Sequence, residues 1–380
     1  MDQFEQPGFL FTVLMFVLMI GPLVFVHEMG HYLMGRFFGT KVESFSIGFG
    51  TQLAGWTDRR GTVWKLSALP LGGYVKFAGD ANAAGAGSDG LEDVPDAERA
   101  DYFAFKPIWQ RALIVVAGPA INFLFAILIF AVFIGIYGQR LTPAVISQVL
   151  PDTPAALAGL QAGDRIAQID GDDVARWEDL VQTVRINPDT RLNLTVERDG
   201  GLIDLPITTA TLQEVDRFGN SYRIGRIGAG AAEMVFVERG PLESVWYATE
   251  EVYDLTISMA KTLGQLITGR RALDELGGPL KIAQISGQQA SLGIASFVSL
   301  MALISVNLGF INLLPIPMLD GGHLALYAAE AVRGGKPLPE QAQQWAFMGG
   351  FALVVSFMVV VTFNDLASFG LWGHVLDLIG

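Results

Sequence analysis

The chain has 380 residues, 51% hydrophobic and only 17% charged, with a formal net charge of −13 and no cysteine. Soluble proteins carry about 25% charged residues, so this chain has either an unusually large core or a part that lies in lipid. The acidic balance and the lack of a basic run argue against nucleic acid as a partner, and the missing cysteines exclude disulfides and thiolate metal ligands.

The apolar residues cluster at 8–26, 112–137, 293–314 and 346–363. Each run is near or above the ~18 apolar positions that mark a spanning helix, so four spans are expected. The first run has no basic start and no small-x-small cleavage site, which predicts a retained span rather than a signal peptide. Arg36 and Lys41, Lys106 and Arg111, and Arg333 and Lys336 flank the span ends. Their bias predicts that residues 36–107 and 332–345 face the cytoplasm, with both termini and 138–292 outside.

Along residues 1–39, the first span ends on Val26-His27-Glu28-Met29-Gly30-His31. On a helix, His27 and His31 sit one turn apart and project from one face, a spacing suited to two corners of a Zn²⁺ site. Glu28 can then reach a water at the metal without ligating it and act as general base. Ionisable side chains at membrane depth are expensive and usually mark function, which weakens a purely packing role. Residues 40–80 read as short strands, with Phe45, Ile47 and Phe49 alternating, then Trp64, Leu66 and Ala68, and a turn at Asp58–Gly61. Residues 81–106 read as a cytoplasmic linker, rich in Ala, Gly and acidic side chains over 81–101, and 107–138 as the second span.

The segment 142–228 has the mixed pattern of a compact α+β domain: a strand at Ala144-Val145-Ile146, a short helix over 154–160, strands near 166 and over 190–198, and a helix over 177–185. Residues 229–292 form a connector in which Leu242, Val245, Val252, Leu255, Met259, Leu263 and Leu266 recur at helical spacing. That stripe suits packing on the domain better than lying on the membrane surface. The third span, 293–331, is broken by Pro315-Ile316-Pro317 and by Gly321-Gly322. Broken backbone at membrane depth is tolerated only where it is buried in protein or lines a wet cavity. Asp320, at the mended end, is the leading candidate for the third ligand that a catalytic zinc requires, against a simple helix-capping role. His323 suits packing better than ligation, and His374 lies near the outer terminus. A link at 332–345, a fourth span at 346–368 and an external C-terminus at 369–380 complete the reading.

The zinc motif at 27–31 followed by Asn312-Leu313-Leu314-Pro315-Ile316-Pro317-Met318-Leu319-Asp320-Gly321 resembles the site-2 protease family, most closely its bacterial regulator of sigma-E protease branch. The resemblance implies His27, His31 and Asp320 as zinc ligands and Glu28 as general base. It implies substrate contact by Asn307, Asn312, Pro315, Pro317, Gly72 and Gly73, with residues 40–80 similar to the family's membrane-associated β-loop. Residues 142–228 resemble a PDZ domain, chiefly through Pro154–Ile166, and imply either capture of a peptide C-terminus or a size gate. The branch's best-known members carry two such domains, whereas this chain has room for one.

The expected whole is a polytopic α-helical membrane protein of four transmembrane helices, with a membrane-associated β-loop and one external PDZ-like domain. It would be a zinc metalloprotease of the bacterial inner membrane that cuts spanning segments of single-span proteins already trimmed by an upstream protease, such as an anti-sigma factor or signal-peptide remnants. Its other partners would be the lipid bilayer and a peptide C-terminus. A membrane metal transporter and a catalytically inactive PDZ scaffold are the alternatives. The spans show no inverted repeat of the transporter kind, and the intact ligand and base set disfavours a dead scaffold.

Overall fold

The computed structural model describes residues 7–80, 94–174, 176–215, 221–268 and 277–368. Half of the expected linker, at 81–93, lies outside the described residues, as do His374 and the stretch 369–380. The chain divides into two compact units, one of Met1–Ala131 with Ala248–Gly380 and the other of Val132–Tyr247.

Helix α1 (Phe9–Phe37) closes on Gly39, whose φ of +70° lets the Thr40 amide donate to the Gly35 carbonyl at 2.8 Å. Strands β1 (Val42–Thr57) and β2 (Val63–Phe77) follow as one antiparallel pair. Their turn is fixed by Asp58, whose Oδ1 accepts from the Arg60 and Thr62 amides at 2.8 and 3.0 Å. The expected short strands are therefore two long, bent ones. Positive-φ glycines at 48, 50 and 72 allow the bends without ending the pairing. Phe45 faces both Val75 and Trp64, so the first half of β1 lies between the two ends of β2. One face packs on α1: Phe45 is fully buried, stacked on Trp64 at 4.5 Å and edge-on to Tyr32. The hairpin also leaves Leu53, Trp56 and Leu69 more than half exposed. Helix α2 (Ile108–Tyr137) then meets α1 at backbone distance, since a Cβ on Gly30 would lie 2.3 Å from the Ala117 carbonyl oxygen.

The second unit carries β3 (Gln139–Leu141), β4 (Ile146–Val149), the short α3 (Pro154–Leu157), β5 (Arg165–Ile169), β6 (Asp172–Asp173) and α4 (Trp177–Ile186). After these come β7 (Arg191–Arg198), β8 (Gly201–Thr208), β9 (Ala210–Val215), β10 (Ser221–Arg226), β11 (Ala229–Ala231) and β12 (Val235–Val237). An antiparallel sheet in the order β6-β5-β7-β8 is joined by the pairs β9–β10, β4–β11 and β3–β12. Alternation along β7 sends Leu192, Leu194 and Val196 into a core with Ile146, Ile166, Leu180 and Ile207. Asp164, 1% exposed, receives two hydrogen bonds from Arg198 at 2.6 and 2.7 Å and ties the start of β5 to the end of β7.

The connector contains two helices, α5 (Pro241–Ile267) and α6 (Pro279–Ser291). The expected apolar stripe on α5 holds from Val252 onward, whereas Leu242 and Val245 are exposed and Ser244 and Ala248 are buried instead. Helix α6 packs on α1, α7 (Ile294–Asn312) and α9 (Glu340–Ser368), so it belongs with the apolar helices. Between α7 and α9, residues 313–319 form a tight loop before α8 (Asp320–Val332). Helices α1, α2, α7 and α9 are long and apolar enough to cross a membrane.

Candidate metal centre

Helical spacing on α1 puts the His27 and His31 rings on one face, where α2 and the first residue of α8 meet them. The His31 Nδ1 donates to the Ile114 carbonyl at 2.9 Å. A carbonyl can only accept, so the proton is on Nδ1 and Nε2 presents a lone pair. This Nε2 lies 3.3 Å from the His27 Nε2 and 3.5 Å from Asp320 Oδ1. Asp320 Oδ2 is 3.2 Å from the His27 Nε2. The Asp320 Oδ2 atom is buried and has no hydrogen-bond partner among the described residues.

Two histidines and a carboxylate thus converge with their ligating atoms within 4.8 Å of one another, the arrangement of a cation site. Donors at about 2.0–2.1 Å around a tetrahedral zinc stand about 3.3–3.4 Å apart, close to the spacings here. The nitrogen and oxygen donors suit that ion, and no thiolate is needed.

Glycine makes this approach possible from both sides. A Cβ on Gly118 of α2 would lie 2.2 Å from the His31 Nε2. On α8, Cβ atoms on Gly321 and Gly322 would fall 2.3 Å from the Leu313, Leu314 and Ile316 carbonyl oxygens, so the 313–319 loop wraps the helix start in backbone contact. Met318 holds φ +92°, a left-handed conformation that costs about 1–3 kcal/mol in a side-chain-bearing residue. Asp320 stands two residues past Met318, after the Leu319 N-cap, and opens α8, where a carboxylate also meets the positive end of the helix dipole.

Glu28 is buried on α1 beside His27. Gly73 faces it, since a Cβ there would stand 2.9 Å from the Glu28 Cγ, and a Cβ on Gly72 would meet the Phe49 ring at 2.6 Å. Asn307 and Asn312, late in α7, are half-buried and make no side-chain hydrogen bond among the described residues. Pro315 is exposed and Pro317 half-buried in the loop. His323 stays out of the cluster; its ring lies against Phe347 and Tyr327.

The Peptidase family M50 profile matches residues 15–357, which contain the whole cluster. The chain belongs to peptidase family M50. Among its M50 relatives, a protein of Agrobacterium fabrum provisionally named a zinc metalloprotease is 46% identical over 358 residues, 93% of this chain and 95% of the relative. The metalloprotease MmpA of Caulobacter vibrioides is 37% identical over 391 aligned positions, covering 94% and 96% of the two chains. Of solved structures, the PDZ domain of an SdrC-like protein from Listeria monocytogenes is 20% identical, with a TM-score of 0.20, covering 24% of this chain and 87% of that one.

Sequence reasoning passed over what α2 gives to this M50 centre: the Ile114 carbonyl, Gly118 and Asn122. The Asn122 side chain is fully buried, with its Nδ2 3.1 Å from the His27 Nδ1 and its Oδ1 unpartnered among the described residues. The signal was a lone amide in an apolar run, because polar side chains in such runs usually face a partner or a site.

Proposed function

We propose that this chain is a zinc-dependent intramembrane endopeptidase that cleaves spanning segments of single-span membrane proteins. The observation that carries the reading is the convergence of the His27, His31 and Asp320 acceptors at 3.2–3.5 Å, with buried Glu28 beside them; both histidines and Glu28 lie on α1, which is long and apolar enough to span, and Asp320 opens α8. His27, His31 and Asp320 would hold zinc, leaving the open position that a catalytic site keeps. When bound, zinc supplies Lewis acidity, polarising the scissile carbonyl and lowering the pKa of water toward ~7. Glu28 takes a proton from the attacking water and returns it to the departing amine nitrogen as the C–N bond breaks, so water adds across the peptide bond.

A spanning substrate arrives as a helix with every peptide group shielded, and it must be drawn out before attack. The β2 end at Gly72-Gly73 lies against Glu28 and offers a strand edge for an extended backbone. The amides of Asn307 and Asn312 are available to the groups that unwinding exposes, and Pro315 and Pro317 keep the facing loop from becoming helix. We place the enzyme in a bacterial inner membrane with the active site toward the cytoplasm, on the Lys and Arg bias at the span ends. The second unit is the PDZ-like module. A groove lined by Trp177, Leu180, Val181 and Val184 of α4 and by Ile224 and Ile227 suits a peptide C-terminus left by an earlier cut, as in an anti-sigma factor.

The test is the purified full chain, zinc-loaded, with a single-span reporter. Glu28→Gln retains zinc and loses cleavage by about 10²–10⁴-fold, the usual contribution of a general base. Cleavage at the parental rate in that variant removes Glu28 from the chemistry, and zinc flux across vesicles that survives the substitution favours transport instead.

A further inference from the structure

The Asn122 amide meets the ring of His27 in an orientation that a metal ligand could not use. Its Nδ2, which can only donate, lies 3.1 Å from the His27 Nδ1, while its Oδ1 is buried without a partner among the described residues. Were Nδ2 the donor there, Nδ1 would be the accepting nitrogen and a neutral ring would carry its hydrogen on Nε2. That hydrogen would point into the cluster, where the His31 Nε2 and Asp320 Oδ2 stand at 3.3 and 3.2 Å. A half-turn of the amide exchanges oxygen and nitrogen, two groups nearly equal in size. The turned amide accepts from a protonated Nδ1, partners the orphaned oxygen and frees the His27 Nε2 as a lone pair.

We infer that Asn122 is a positioning residue for the metal centre: its amide oxygen accepts from the His27 Nδ1–H and fixes the ring with Nε2 toward the metal. The inference rests on the zinc reading above and reaches beyond the ligands to a residue that touches none of the reacting atoms. His31 shows the same logic completed, with its Nδ1 held by the Ile114 carbonyl one helix away. Both imidazoles are thus oriented from α2, by a carbonyl at 114 and a side chain at 122, two turns apart on one helix. Asn122 is itself held in place, because Ser305 Oγ on α7 donates to its backbone carbonyl at 2.8 Å and its side chain is 0% exposed.

The experiment compares three full-length proteins in detergent: the parent, Asn122→Leu and Asn122→Asp. Leucine keeps the volume and removes the acceptor; aspartate keeps the shape and the acceptor and removes the donor. Zinc retention is titrated against a chelator of graded strength, and thermal unfolding of the zinc-free proteins is followed in parallel. Asn122→Leu should hold zinc about 10–100-fold more weakly, the usual cost of losing such a partner, while Asn122→Asp holds it as tightly as the parent or more so. The zinc-free melting temperature of Asn122→Asp should match the parent's, which separates metal binding from folding. Parental retention in Asn122→Leu, or equal weakening in both variants, would overturn the inference. Should Asn122→Leu fail to fold, Asn122→Asp still decides, because a donor role predicts lost retention there. A parent that binds no zinc that His27→Ala abolishes would overturn both this inference and the zinc reading, whereas a binding parent with an unaffected Asn122→Leu removes only this one.

Discussion

The Gly118 position is dictated by the ring that lies over it. With the His31 Nε2 only 2.2 Å and Cε1 2.4 Å from where a Cβ would stand, even a methyl group must displace the imidazole or part α2 from α1. The helices cannot part easily, because Gly30 already rests on the Ala117 carbonyl one residue away. Gly118→Ala should therefore weaken zinc retention at least tenfold, a loss read by the same chelator titration. An exposed glycine such as Gly264, with nothing within 4 Å, should accept alanine without any change in zinc retention. At this scale the sequence was legible wherever chemistry lies in local spacing: His27, Glu28 and His31 are read off one helical turn, and Asp320 off a broken helix. Gly118, Asn122 and Ile114 were not, because their roles exist only once α2 lies across α1. Nothing within five residues of Asn122 says which ring it will meet.

Between elements, buried charge shows how α8 is fixed. Arg111, near the start of α2, pairs with Glu330 of α8 at 2.6 Å, both side chains under 15% exposed, and its guanidinium lies 4.8 Å from the Tyr327 ring centre. Breaking such a pair from one side strands the other charge, so Arg111→Ala should cost about 3–5 kcal/mol. The double variant Arg111→Met with Glu330→Met should recover most of that loss in a thermal unfolding assay. Asp80, just past the end of β2, supplies a pH-dependent counterpart. Its Oδ2 accepts from the Phe77 amide at 2.9 Å. Burial, reinforced by nearby Glu43, nevertheless pushes its carboxyl up from 3.8 to about 7. The folded state then binds the extra proton between about pH 4 and 7, so this group's contribution to stability falls as pH rises through that window and stays low above it. Asp80→Asn keeps an acceptor without the charge. It should raise stability near pH 8 by ~1–2 kcal/mol, less than the shift alone would give because the group is only half-buried, and should change nothing at pH 4. The long apolar helices were legible from periodicity, as were β4, β5 and β7 of the second unit, whereas β8 to β12 were not. The bent β1–β2 pair and α6 were less so, since glycine kinks interrupt strand alternation and α6 owes its place to packing on α1.

For the molecule as a whole, the separation into two units has an energetic meaning. Among the described residues, the buried core of the second unit is drawn from Ala144 to Ile227, with Ala229 packed against it, and the cluster of His27, His31 and Asp320 lies in the other unit. The second unit should therefore fold when excised as residues 139–240, and its circular dichroism and cooperative melting would show it. Leu194 is fully buried at the centre of the four-stranded sheet. In the excised unit Leu194→Ala should cost about 2–5 kcal/mol, the transfer free energy of the lost side chain plus that of the cavity left behind. The same substitution in the full chain should leave zinc retention unchanged, because nothing in the metal cluster depends on that core. A full chain that loses zinc with Leu194→Ala would mean that the two units share one cooperative transition. That outcome would contradict the division of apolar contacts on which the prediction stands.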